Sequence, residues 1–186
     1  MNQSVMVFSN STARAAAITS PSEGMVTYLQ DTDLISVYES GTWRSSLSPR
    51  GGVLQVVTNS TATAVSNSTT TYADTTLTAT ITPKSATSRI LCLVNQNGVR
   101  KISGANSELE LQFVLPDAST SLISKFGFTN TTDVWQVGSI SGAREYSSGA
   151  TAALTFKTQF RNVIAAASVG VQSSGTSFIT LIEIGA

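Results

Sequence analysis

The first fifty residues of this chain carry few apolar side chains for a core of their own. Residues 15–43 contain two or three short stretches in which apolar and polar residues alternate, with tight turns between them. A strand that alternates in this way has an apolar face that another surface must cover. We therefore predict that this segment depends on contact with the rest of the chain or with another copy of it. Such dependence favours an assembled protein over a free-standing enzyme.

The composition is typical of a folded, weakly charged β protein. The 186 residues suffice for one ordinary domain and a small appendage. Serine and threonine exceed a quarter of the chain, but 41% of residues are hydrophobic and evenly spread, which argues against disorder. The formal net charge is zero. The chain therefore offers no basic field for nucleic acid or for an anionic membrane surface.

The only cysteine, Cys92, lies in an apolar run and cannot form an intramolecular disulfide. We expect a buried thiol that packs as a small hydrophobic residue. The N-terminal residues lack the basic and apolar regions of a signal peptide, and no stretch reaches transmembrane length. We therefore expect synthesis in a reducing cytoplasm, without membrane insertion.

Turn residues divide the chain into two domains. Residues 1–20 are small and polar, and we expect an extended arm or a short helical turn there. Short strands follow at 25–30, at 34–38 and from 42, so residues 1–50 are predicted to contain a small β-meander. Residues 45–52 (SSLSPRGG) are the best linker candidate, because proline and paired glycines interrupt regular structure.

The second predicted domain, residues 51–186, contains nine or ten runs with a period of two. In residues 75–82, for example, Leu, Ala and Ile alternate with Thr. Residues 89–95 are apolar almost throughout, which predicts a central strand. We expect strands at 164–171 and 178–184, loops over much of 126–148, and hairpin turns at Asn97-Gly98 and Ser103-Gly104. The pattern predicts an all-β fold, with a sandwich or barrel in this domain.

Few residues suit catalysis or metal binding. The chain has no histidine, which removes the common Ser-His-Asp and Cys-His mechanisms and most catalytic zinc sites. Glu108 and Glu110 share one face of a strand and could in principle serve glycoside hydrolysis, but we interpret them as the solvated face of that strand. Asp31 and Asp33, with Glu39 nearby, are better explained as turn residues than as a calcium site. We predict no catalytic residue, no metal and no cofactor.

Large amphipathic side chains mark candidate contact surfaces. In the first domain the candidates for an assembly interface are Tyr28, Leu34, Tyr38 and Trp43. In the second domain Trp135 and Tyr146 fall in the region where outer loops are expected, so they are candidates for contact with a surface partner.

Two groups of motifs resemble those of tailed-bacteriophage virion proteins. SPSEGMVTYLQDTD at residues 20–33 and LISVYESGTW at 34–43 resemble the short β-modules at the start of fibre and other virion proteins, with their Asp, Leu, Val-Tyr, Gly, Trp pattern. VLQVV at 53–57, LTATITP at 77–83, SRIL at 88–91 and TLIEI at 180–184 are similar to jelly-roll-like domains of the same class. The resemblance implies a jelly-roll-like antiparallel β-sandwich, a homotrimer and no family catalytic residue.

These observations favour a bacteriophage virion structural protein of the fibre type. Its N-terminal module would attach to other virion proteins, of the capsid or tail, or form a trimer. Its sandwich would recognise a glycan or protein on the host surface. The alternative is a capsid decoration protein that stabilises the head. A small β-sandwich enzyme, such as a glycosidase, is a third hypothesis and the least supported.

Overall fold

The computed structural model describes residues 5–45, 51–102, 106–128, 138–164 and 167–185. The chain forms two compact units, with the boundary between Gly52 and Val53; Gly185 belongs to the first unit. Antiparallel β-sheets dominate, and the described residues contain one short helix. The predicted all-β class is therefore confirmed.

The N-terminal unit is a four-stranded sheet with a helix. Its elements are β1 (Met6–Phe8), α1 (Ser11–Ala17), β2 (Val26–Leu29), β3 (Leu34–Glu39) and β4 (Thr42–Ser45). The strands lie in sequence order. The predicted meander corresponds to β2, β3 and β4, which pair antiparallel. The segment expected to be an arm or a helical turn supplies both a helix and β1, which pairs parallel with β2.

Helix α1 begins at an asparagine cap. The Asn10 side chain accepts a hydrogen bond from the Ala13 amide at 2.8 Å, which satisfies one of the free N–H groups of the first turn. Alanine-rich sequence favours the helix, and the helix ends at Ala17. This short helix places one long side chain, Arg14, in the interior of the unit.

The second unit is a jelly roll. Its eight long strands are β5 (Val53–Thr61), β7 (Ala73–Ile81), β8 (Arg89–Asn97), β10 (Ser107–Val114), β11 (Thr120–Phe128), β12 (Ser139–Ser147), β13 (Leu154–Asn162) and β15 (Ser177–Ile184). They form one sheet in the order β12-β8-β15-β5 and another in the order β11-β10-β13-β7. Counted one to eight along the chain, the orders are 6-3-8-1 and 5-4-7-2. This pairing of first with last and second with seventh is that of a double Greek key.

A third, smaller sheet covers part of this unit. It contains β6 (Val65–Asn67), β14 (Val169–Val171) and β9 (Arg100–Lys101), in the order β6-β14-β9. Two predictions are corrected here. Of the described residues in 164–171, where a strand was expected, 169–171 form β14, and Asn97-Gly98 is not a hairpin, because β8 and β9 belong to different sheets. The other predicted hairpin, Ser103-Gly104, lies outside the described residues.

The core lies between the inward faces of the two large sheets. Residues with odd numbers on β7 and those with even numbers on β8 and β13 meet there; Leu77, Cys92 and Phe156 are almost completely buried. Cys92 is a free thiol, as the sequence predicted. β8 lies between β12 and β15, which confirms the prediction of a central strand. β12 occupies part of the region in which loops were expected.

Candidate assembly surfaces

The register of the N-terminal sheet gives it two different faces. Thr27 of β2 pairs with Ser36 of β3, and Tyr38 of β3 pairs with Trp43 of β4, so these residues share one face. We call it the helix face, because Arg14 of α1 lies against it. The other face carries the intervening residues of each strand, and we call it the open face.

Arg14 fills the centre of the helix face. It is 8% exposed; one guanidinium nitrogen lies 3.5 Å from Thr27 Oγ1, and Cζ lies 4.3 Å from the centroid of the Trp43 ring. A cation over an aromatic ring is attracted by the negative face of the π system. Burial lowers the pKa of Arg14 from its ordinary value, because desolvation disfavours the charged form.

The interior of this unit contains little apolar material. Among its described residues, Leu29 is the one apolar side chain that is buried, and the other buried side chains are those of Arg14, Thr27 and Ser36. Tyr38 and Trp43 add an edge-to-face aromatic pair, with centroids 5.3 Å apart, but both rings are only half-buried. A core of this size supplies little hydrophobic stabilisation.

Apolar side chains instead lie on the open face. Val7, Val26 and Ile35 are 55%, 37% and 45% exposed. Register places them together: Val7 pairs with Tyr28, Tyr28 pairs with Ile35, and Val26 pairs with Val37. Glu39 and Arg44 form an ion pair at 3.1 Å beside this patch. The open face is thus an apolar surface with a charged edge.

The four predicted assembly residues are divided between the two faces. Tyr28 lies on the open face and donates a hydrogen bond to Asp33 Oδ1 at 2.6 Å. Leu34, Tyr38 and Trp43 lie on the helix face. Sequence reasoning missed Val7, Val26 and Ile35, although the period-two alternation of β2 and β3 contained the signal. The role of all four in assembly stays a prediction.

The candidate contact residues of the second unit do not form a described cluster. Trp135 lies outside the described residues. Tyr146 lies on strand β12 and not on an outer loop, which corrects the expectation for that segment. Its ring is half-buried and packs edge-to-face on Phe156, with centroids 5.6 Å apart. Much of the Tyr146 side chain is therefore engaged with the core.

Glu110 is on the outward side of its strand, but its side chain is buried in a charged network and not solvated as expected. Its carboxylate accepts hydrogen bonds from Lys125 Nζ at 2.8 Å, from Arg161 Nη2 at 3.1 Å and from the Tyr72 hydroxyl. Burial by itself would raise the pKa of this carboxyl, but the three donors outweigh burial and lower the pKa to about 2. Glu110 is therefore ionised near neutral pH and unsuited to be a general acid.

The other acidic candidates have structural partners or are turn residues. Asp33 accepts the Tyr28 hydrogen bond, and Glu39 pairs with Arg44. Within the described ranges, no three acidic, cysteine or histidine side chains are grouped so that they could hold a metal ion. The same ranges contain no helix with the length and apolarity that crossing a membrane would require.

Comparison with known proteins gives no family. No family model and no curated protein matches the chain. The crystal structure of the VP2 subviral particle of infectious bursal disease virus is 10% identical, with a TM-score of 0.41, over 89% of this chain and 41% of that one. The structure of the Gx strain of the same virus is 11% identical, with a TM-score of 0.26, over 79% and 45%. The chain spans less than half of either protein, and with TM-scores below 0.5 neither likeness assigns a fold or a function to it.

Proposed function

We propose that this chain is a structural protein of a virion, that its N-terminal unit attaches it to other virion proteins, and that it is not an enzyme. The observation that carries the proposal is the open face, on which Val7, Val26 and Ile35 are exposed while the unit itself buries little apolar surface. Exposed apolar patches of this kind are typical of protein interaction sites. Covering the patch would supply the burial that the unit lacks.

Two further observations support a virion role. The motifs at residues 20–43 resemble those of virion β-modules. The second unit has jelly-roll strand order, a fold that viral capsid and lectin domains use. The fold supports a virion role by analogy only, since one fold serves many functions. In this proposal the chain forms a homotrimer, and its sandwich projects outward as a fibre-type domain that contacts a host-surface glycan or protein.

Particle incorporation tests the proposal. Particles that lack the chain would be prepared from the virus that encodes it and mixed with purified full-length protein, and bound chain would be measured by quantitative mass spectrometry. We expect the wild-type chain to bind and Ile35→Asp to bind much more weakly, because the substitution places a carboxylate in the apolar patch. Leu122→Asp is the matched control, since Leu122 is similarly exposed but lies on the second unit.

The same measurement separates the two virion roles. Hundreds of copies per particle would indicate capsid decoration, and tens or fewer would indicate a fibre or tail component. Absence of the chain from particles, or equal binding by wild type and Ile35→Asp, would contradict attachment through the open face. Turnover of a host polysaccharide by the purified chain would contradict the non-enzymatic role.

A further inference from the structure

The two outer faces of the jelly roll differ in character. On the sheet β11-β10-β13-β7, the outward side chains include Glu110, Lys125 and Arg161 in one row and Asp74 and Lys157 further along. Asp74 and Lys157 pair at 2.9 Å. This face is charged and hydrogen-bonded, as expected of a sheet surface that meets water. We call it the polar face.

The outer face of the sheet β12-β8-β15-β5 carries a band of exposed apolar side chains among polar ones, and we call it the apolar face. Leu93, Phe178 and Val56 are 37%, 45% and 56% exposed on it. Register places Leu91 of β8 beside Ile182 of β15, and Ile182 beside Val56 of β5, so the apolar residues form a continuous band. Residues 90–94 of β8 are thus apolar on both faces, a pattern that normally marks a strand covered on both sides.

The surface beside Leu93 is concave. Leu93, Asn95, Ser141, Ala143, Phe178 and Thr180 line an open depression of about 480 Å³, most of whose lining is apolar. Gly142, also at its edge, lets β12 approach β11, because its missing side chain leaves room for Ile123. A depression between projecting Leu93 and Phe178 side chains allows another surface to interdigitate with it.

We propose that the apolar face packs against another copy of this chain. The inference rests on the proposed virion function and adds a further contact between copies: a face that meets its own copy pairs two chains about a twofold axis, beside the threefold contacts of the proposed homotrimer. Its first support is charge. Among the described outward side chains of this sheet, the charged ones are Arg89 and Glu145, which neutralise each other at 3.1 Å. A face with no net charge can meet its own copy without repulsion, whereas a charged partner would find no complementary field.

Area is the second support. Four strands about 4.8 Å apart and about 9 residues long, at about 3.3 Å per residue, present a face of roughly 550 Å². Two such faces together bury about 1,100 Å², which exceeds the roughly 1,000 Å² that a biological interface should clear. The polar face offers a similar area, but its ion pairs would have to be desolvated on contact.

Cross-linking tests the inference on matched positions. Thr180 lies at the centre of the apolar face, where its hydroxyl bonds that of Thr58 on the edge strand at 3.1 Å. Thr155, near the start of β13, is the corresponding threonine on the polar face, where it likewise lies beside an edge strand and bonds Thr80 at 2.9 Å. Full-length Thr180→Cys and Thr155→Cys would be treated with a short bismaleimide and run on denaturing gels. We expect intermolecular cross-links from Thr180→Cys and almost none from Thr155→Cys.

Light scattering after size exclusion supplies the second measurement. We expect Leu93→Asp to weaken self-association by about tenfold or more, because burying an unpaired carboxylate is costly. Leu122→Asp, on the polar face, should leave it unchanged. Circular dichroism melts would establish that each variant folds. If Leu93→Asp fails to fold, the cross-linking comparison of Thr180→Cys with Thr155→Cys still tests the inference.

The outcomes separate this inference from the proposed function. A stable oligomer that cross-links equally at both cysteines, or that survives in folded Leu93→Asp, would overturn contact through the apolar face and leave virion attachment intact. A wild-type chain that is monomeric at all concentrations would also overturn it. Virion attachment itself is measured by particle incorporation. Ile35→Asp is expected to reduce incorporation, whereas Leu93→Asp need not change it.

Discussion

The guanidinium of Arg14 lies over the ring of Trp43, with Cζ 4.3 Å from the ring centroid. The contact joins α1 to β4, the edge strand furthest from β1 in the sheet order. It connects the helix, the second element of the N-terminal unit, with the last strand. Among the described residues of this unit Leu29 is the one buried apolar side chain, so the cation–π contact and the polar groups around it fill much of its interior.

Arg14→Gln should destabilise the N-terminal unit. The substitution removes the cation over Trp43 and much of a buried side chain, and we expect a loss of about 1–2 kcal/mol. Thermal unfolding followed by tryptophan fluorescence measures it. The matched control is Arg89→Gln, which breaks an exposed ion pair and should cost less than about 1 kcal/mol. Equal losses for the two variants would contradict a stabilising role for the Arg14–Trp43 contact.

Because of Glu110, the free energy of unfolding should fall as the pH is lowered. Its pKa is lowered to about 2 in the folded chain, so the unfolded chain binds a proton more readily. The carboxylate then stabilises the fold above its ordinary pKa of about 4.5, and this contribution is lost as the pH falls from there towards 2. Urea melts between pH 2 and 7 should show a loss on the order of 2 kcal/mol over that range.

Glu110→Gln isolates this contribution. The variant leaves Lys125 and Arg161 without their shared counter-charge, so it should be less stable than the wild type at pH 7. Its free energy of unfolding should also fall less than that of the wild type as the pH is lowered. Glu145→Gln changes an exposed carboxylate and should keep the wild-type acid profile. An unchanged acid profile in Glu110→Gln would contradict the assignment to this residue.

Cys92 should be inert until the sandwich unfolds. Burial raises the pKa of the thiol to about 12, so almost no thiolate forms near pH 8. We expect a disulfide reagent such as DTNB to modify the folded wild type very slowly and the urea-unfolded chain quickly. Exposed Thr155→Cys provides a fast-reacting site in the same fold. Rapid modification of the folded wild type would contradict the buried position.

Two strand glycines should respond differently to alanine. A Cβ added at Gly142 of β12 would lie 2.6 Å from Ile123 Cγ2, and we expect Gly142→Ala to cost about 1–3 kcal/mol through overpacking. A Cβ at Gly127 of β11 meets nothing within 4 Å. Gly127→Ala should be neutral or stabilise by up to about 1 kcal/mol, because alanine restricts the unfolded chain. Chemical denaturation of both variants measures the difference.

Much of the fold could be predicted from local sequence. Alternation with a period of two indicated the strands of the meander and of the sandwich, because successive side chains point to opposite faces. The run of apolar residues at 90–94 indicated a central strand, which is β8, and the cysteine within that run indicated a buried thiol. The small number of apolar residues in 1–50 indicated a unit with little core. Among the described apolar residues of that unit, the structure buries only Leu29.

The tertiary structure decided which surfaces remain uncovered. Alternation shows that a strand has two faces, but not which of them a neighbour covers. α1 brings Arg14 onto the face of Trp43, so Tyr28 is left on the open face with Ile35. Glu110 meets Lys125 across the pairing of β10 with the next strand, β11, but gains Arg161, 51 residues away, only through pairing of β10 with β13. Such contacts follow from long-range register, and a period of two within one strand carries no information about it.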